Sequence, residues 1–128
     1  ILTAIVQRQG QARFRSKILK AYGGRCAVSG CTVEQALDAA HISPYRGPDT
    51  NHVSNGILLR ADLHTLFDLL LLTIDAKSSC ALVSLRLQGS EYWRFHGKKI
   101  RLPVRAEFRP SKDALDEHRR QSDASGAV

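Results

Sequence analysis

The stretch SPYRGPDTNHVSNG, residues 43–56, holds two prolines, two glycines, two asparagines and an aspartate. That composition can sustain neither a helix nor a central strand, so it reads as an irregular loop. Short segments flank it: residues 38–42, leading into His41, on one side and Ile57–Arg60 on the other, both expected as strands. Directly after comes ADLHTLFDLL, residues 61–70, where Leu63, Leu66, Phe67 and Leu70 fall at i, i+3, i+4 and i+7, the buried stripe of an amphipathic helix. The centre of the chain is therefore strand, long loop, strand, helix. A loop of that length inside a small domain is functional or disordered.

The rest frames this centre. GQARFRSKILKAY, residues 10–22, is expected as a helix, with Phe14, Ile18 and Tyr22 on one face and Gly23-Gly24 ending it. CAVSGC (26–31) reads as a short strand and turn, and residues 32–37 as one helical turn with Thr32 as N-cap. Residues 70–75 and 80–87 are expected as a β-hairpin. Pro110-Ser111 opens a last helix to about Gln121 with Ser111 as N-cap, and the tail, residues 122–128, is expected to be disordered. At 128 residues the chain suits one domain with a core of its own, and its 43% hydrophobic content is ordinary for a globular protein.

Several classes are excluded or disfavoured. The longest uninterrupted run of large aliphatics, Leu69–Leu72, is far too short to span a membrane, and no signal-peptide pattern opens the chain. Three cysteines are an odd count, which favours reduced thiols in a cytoplasm over a disulfide framework. The chain begins with Ile rather than Met and is read as a fragment of a longer protein.

The net charge of +7 is clustered. From Arg8 to Arg25 there are six basic residues and no acid, and from Arg94 to Lys112 seven basic residues against Glu107 alone. Clustered positive charge is the footprint of a protein that meets phosphate, though a solvated basic face would look the same.

His64 and Asp68 lie off the buried stripe of the 61–70 helix, one turn apart, where both side chains can reach one cation. Imidazole plus carboxylate suits Mg²⁺, Mn²⁺, Zn²⁺ or a similar ion; taken alone the pair could equally be a surface hydrogen bond.

The four residues together carry more. His41-Ile42-Ser43-Pro44, then Asn55, then His64 nine residues later, resembles the HNH endonuclease family. NGILLRADLHTLFD, RCAVSGC, HGKKIRLP and PSKDALDEHRR resemble its bacterial restriction and defence branch, over roughly residues 8–120. The resemblance implies an α+β domain with a ββα-metal core at about 26–75, a basic N-terminal helix at about 10–22, and a C-terminal hairpin and helix at about 76–121. It implies a metal-dependent DNA endonuclease that leaves 5′-phosphate and 3′-hydroxyl ends.

Under that resemblance His41 is the general base, since histidine titrates near about 6.5 and a neutral imidazole can take a proton from water. Asn55 would fix the loop and orient His41. His64 and Asp68 would hold the ion, with Asp62 in reserve, because the position before the first histidine, a ligand in many HNH proteins, is Ala40. Mg²⁺ is the expected ion, with Mn²⁺, Ni²⁺ or Zn²⁺ as alternatives. A structural zinc is not expected: Cys26 and Cys31 make only one pair, and the places of a second pair hold Arg60 and Leu63.

Arg13, Arg15, Lys17, Lys20, Arg46 and Arg60 are the expected contacts to double-stranded DNA. His52, His96, His118 and Trp93 are expected in surface or packing roles. A homodimer, a further DNA-recognition domain outside this chain and a bacterial cytoplasmic location complete the expectation. Two other readings stand beside it: an inactive nucleic-acid-binding module, favoured by Ala40, and a module that binds an acidic protein.

Overall fold

In the computed structural model, which describes residues 2–126, the central succession forms an antiparallel hairpin backed by a helix. Strand β1 (Leu37–His41) pairs with β2 (Gly56–Arg60) in a register that runs from Leu37 opposite Arg60 to His41 opposite Gly56. Helix α2 (Ala61–Asp68) follows β2 without a linker. The 43–55 loop carries two single 3-10 turns, Pro48–Thr50 and Val53–Asn55. The expected α+β architecture is present, with three α-helices and two two-stranded sheets among the described residues.

Helix α1 (Leu2–Ala21) begins eight residues before the expected start. Its first turns are solvent-exposed, so no buried stripe announces them in the sequence. It stops where Gly23 and Gly24 take φ of +62° and +69°, and Gly24 N–H returns to Leu19 O at 2.9 Å. Left-handed backbone of this kind is natural to glycine and ends helices by satisfying their last carbonyls.

Phe14, Ile18 and Tyr22 pack α1 against Ile57, Leu58 and Leu59 of β2, and Leu63 and Phe67 enter the same core from α2. Burying each such side chain contributes roughly 1.5–3 kcal/mol before the entropy of ordering it is charged. The approach of α1 to the hairpin depends on Gly56. A Cβ there would sit 2.3 Å from Ile18 Cδ1 and 2.8 Å from Phe14 Cζ. The Tyr22 hydroxyl donates to Gly56 O at 3.2 Å, and burial pushes its pKa up, so it remains a donor.

The C-terminal part completes the core. Strands β3 (Leu72–Ile74) and β4 (Ala81–Val83) make a hairpin shorter than expected, and Leu85–Leu87 turns into a 3-10 helix. Residues 26–31 form a turn rather than a strand, and the turn at Glu34–Ala36 carries no side-chain cap from Thr32. Helix α3 (Lys112–Ser125) starts as expected, with Ser111 Oγ accepting from Ala114 N–H.

It then runs past the expected end. Residues 122–125, expected as disordered tail, are helical, because Ser122 is buried and its hydroxyl donates to Leu70 O at 2.8 Å. The last two residues of that tail, 127 and 128, lie outside the described residues. No helix of the described residues is long and apolar enough to cross a membrane.

Candidate active site

A cavity of about 730 Å³ opens between the β1–β2 hairpin, α1, α2 and α3. His41 and Asp38 line it from β1, His64 and Asp68 from α2, Phe14 and Arg15 from α1, and His118 from α3. The two histidines expected to work together thus share one cavity.

His41 is held on three sides. Its ring lies flat on Phe14 at 4.2 Å between centroids, Tyr45 meets it edge-on at 5.6 Å, and Nε2 is 2.8 Å from Asn51 Oδ1. An amide oxygen can only accept, so Nε2 carries the proton and donates. Nδ1 then keeps its lone pair, and no protein group among the described residues hydrogen-bonds to it. That is the state a general base requires.

Asn55 does not touch this ring. Its Oδ1 accepts from Ser43 N–H at 2.8 Å, while Nδ2 donates to Ser43 O at 3.1 Å and Thr50 O at 2.9 Å. It ties together the two ends of the loop, and Asn51 inside that loop makes the contact with His41. The expectation that the Asn55 amide orients His41 is therefore revised: its influence runs through the loop backbone.

His64 stands between two carboxylates. Nδ1 is 2.9 Å from Asp38 Oδ2 and Nε2 is 3.1 Å from Asp68 Oδ2. A neutral imidazole has one N–H, so it cannot donate to both. If Nδ1–H donates to Asp38, the Nε2 lone pair faces an anionic oxygen, and that arrangement calls for a proton or a cation at the edge they share. Two donors each about 2.1 Å from one ion and at right angles stand about 3.0 Å apart, close to the spacing seen here.

Asp38, bonded to the far nitrogen, would then play the part of the carboxylate that fixes tautomer and ring direction in metal-binding histidines. The three groups are in line, carboxylate–imidazole–carboxylate, rather than converging. Among the described residues no three His, Cys, Asp or Glu side chains form a closed cage. The residues fit an open site with two protein donors, the rest being left to water and phosphate, as Mg²⁺ prefers.

Asp38 was not among the residues singled out from sequence. The signal was available, since it is the only acid in the strand 37–41. Ala40 is fully buried in the core, where a carboxylate would be stranded in apolar surroundings.

The other expected residues divide. Asp62, the reserve ligand, is engaged elsewhere. Arg60 grips it at 2.7 and 3.0 Å, Tyr92 donates to it at 2.9 Å, and the guanidinium holds its carboxyl down to a pKa of about 2. Arg60 is correspondingly not free for phosphate. Arg15 lines the cavity, yet its guanidinium donates to Leu37 O and Glu34 O, so it anchors the start of β1.

Arg13, Lys17 and Lys20 are exposed at i, i+4 and i+7 of α1, on the flank away from Arg15, and Arg46 is exposed on the loop. His52 is exposed and lines a shallow depression with Asp49, Asp113 and Glu117, apart from the cavity.

Two residues given packing roles sit close to the site or the core. His118 is 7% exposed, stacks on Phe67 at 3.8 Å and donates from Nε2 to Phe67 O at 2.8 Å, which pins the end of α2 beside Asp68. Trp93 packs against the core and stacks on His96 at 4.3 Å. The Cys26 thiol is buried and accepts from the N–H groups of Ser29 and Arg60, both at 3.3 Å.

Residues 26–75 match the HNH endonuclease family, and the segment from Cys26 to Asp75 is an HNH core. Among solved structures, the chain is similar to one described as a modification dependent TagI restriction endonuclease, with 24% identity and a TM-score of 0.58 over 86% of this chain and 37% of that one. The likeness establishes the fold, and this chain spans little more than a third of that protein's length. No curated protein matches.

Proposed function

We propose that this chain is a metal-dependent DNA endonuclease domain that hydrolyses phosphodiester bonds, with His41 as general base. The observation that carries this reading is that His41, fixed by Phe14 and Asn51, and the His64–Asp68 edge line one cavity. The HNH core at 26–75 supports the reaction class.

HNH nucleases generally use divalent ions, and His64 Nε2 and Asp68 Oδ2 would hold one here, Mg²⁺ being the expected ion. When bound, such an ion relieves charge on the phosphate and on the leaving 3′ oxygen. The chain's own groups do the rest. His41 Nδ1 takes the proton from the attacking water, and Nε2–H to Asn51 keeps the ring turned for it. Asp38 keeps the proton of His64 on Nδ1, so that Nε2 presents its lone pair. Asn55 holds the ends of the loop that carries Asn51. The products would be a 5′-phosphate and a 3′-hydroxyl.

Arg13, Lys17, Lys20 and Arg46 supply positive charge for double-stranded DNA, positioning it without reading sequence. Arg15 and Arg60 contribute field rather than direct contacts, since their guanidinium groups are engaged. A role in restriction or defence, a partner domain for DNA recognition, a homodimer and a bacterial cytoplasmic setting extend the same reading. The inactive-module alternative rested on Ala40, and Asp38 beside His64 weakens that ground.

Supercoiled plasmid incubated with the protein and Mg²⁺ or Mn²⁺ should be nicked, nicking should stop with chelator, and His41→Ala should abolish it. Wild-type protein that binds duplex and cuts under no metal would replace this reading with the binding module.

A further inference from the structure

A second groove of about 720 Å³ lies on the flank of α1 away from the active site. Lys17, Lys20 and Arg25 form one wall; Leu102, Val104 and Phe108 form the other, and among the described residues no acid lines it. Val104 is 91% exposed and stands with Leu102 and Phe108 on the apolar side of the groove. Arg105, at the rim, is paired with Glu107 and lies over the Phe108 ring at 4.8 Å. Val53, two residues before Asn55, contributes to the floor, so the groove backs onto the loop that serves the active site.

The chemistry of the two walls differs. Lys17, Lys20 and Arg25, which make no ion pair among the described residues, suit phosphates. The apolar side offers nothing to a sugar–phosphate backbone, but it suits the flat faces of unstacked bases. A duplex keeps its bases stacked and presents phosphate on both edges of a groove. A single strand presents phosphate on one side and bases on the other, and it is held in proteins by this pairing of cationic wall and stacking surface.

The site also faces away from the cavity. Lys17 and Lys20 lie on one flank of α1, Gln11 and Arg15 on the other. We propose that this groove binds a single-stranded DNA segment, with bases against Val104 and Phe108 and phosphates against Lys17, Lys20 and Arg25. The inference takes its ligand class from the nuclease reading, but binding here does not require cleavage.

The test is fluorescence anisotropy with labelled dT12 and with a 12-base-pair duplex, on the full chain in chelator, comparing wild type with Val104→Ser and with Phe108→Ala. Val104 is so exposed that its variant should keep the fold, and thermal melting checks this. Phe108→Ala should weaken dT12 binding roughly tenfold, the scale of one lost stacking contact, and Val104→Ser should weaken it by a smaller but measurable factor. Duplex binding and plasmid nicking by Val104→Ser, which leaves the charge beside Lys17 and Lys20 unaltered, should stay within about twofold.

Equal losses for single strand and duplex, no loss for either, or competition by polyglutamate as effective as by dT12 would each overturn the proposal. Failure of wild-type nicking with intact, Val104-dependent dT12 binding would sink the nuclease reading and leave the groove standing.

Discussion

The ring of His41 lies against that of Phe14 with centroids 4.2 Å apart and planes within 5° of parallel. Phe14 is 2% exposed and belongs to the core, so His41, the proposed base, is mounted directly on the hydrophobic interior. Phe14→Leu should keep the fold at a cost of about 1–2 kcal/mol, since a large apolar group remains. It should still slow cleavage about tenfold or more, because a base that rocks loses its alignment with water. Urea unfolding and single-turnover cleavage on the same protein separate the two effects. Stability lost with the cleavage rate unchanged would show that the stack is packing alone.

Asp38→Asn tests the carboxylate behind His64. The amide still fills the space but no longer favours the Nδ1–H tautomer as strongly. Mn²⁺ affinity by calorimetry should fall by about 10–100-fold, the usual effect of losing such a partner. Unchanged affinity would mean that Asp38 serves only the fold.

Gly56→Ala should destabilise by about 1–3 kcal/mol, because the added methyl would overlap Ile18 and Phe14 and must push α1 off the hairpin. Cleavage should fall with it, since Phe14 moves. The midpoint of urea unfolding reads the first effect and plasmid nicking the second.

Asp62 gives a pH dependence with a defined sign. Its carboxyl is held at about 2, below an ordinary value of 3.8, chiefly by the Arg60 hydrogen bonds. The ionised form is thus favoured in the folded state. The stability it contributes is fully present above about pH 4 and disappears as pH falls through about 2. The carboxylate is 38% exposed, so solvent screening reduces the contribution to about 1 kcal/mol. Asp62→Asn should be less stable than wild type at pH 6 by that amount, and the two should converge near pH 2 in acid unfolding curves.

The β1–loop–β2–α2 core was legible in the sequence because its signals are local. Proline and glycine mark the loop, and Leu63, Leu66 and Phe67 mark the helix face whose other side carries His64 and Asp68. What the sequence hid depends on distant contacts. Asp38 and His41 line one cavity although they are three apart in a strand, which simple alternation does not foresee. Asn51 reaches His41 only because Asn55 folds the loop back. Arg15 and Arg60 carry the same charge as Lys17, and only the partners Leu37 O, Glu34 O and Asp62 show that they are engaged. The first turns of α1 have no packed face, and the last turn of α3 is held by Leu70, fifty-two residues away from Ser122.

The most direct test separates the base from the ion. His41→Ala should bind Mn²⁺ and duplex DNA as wild type does, yet cut a labelled duplex under single-turnover conditions about 10²–10⁴-fold more slowly, the range expected for losing a general base. A His41→Ala protein that cuts at close to the wild-type rate would contradict the account.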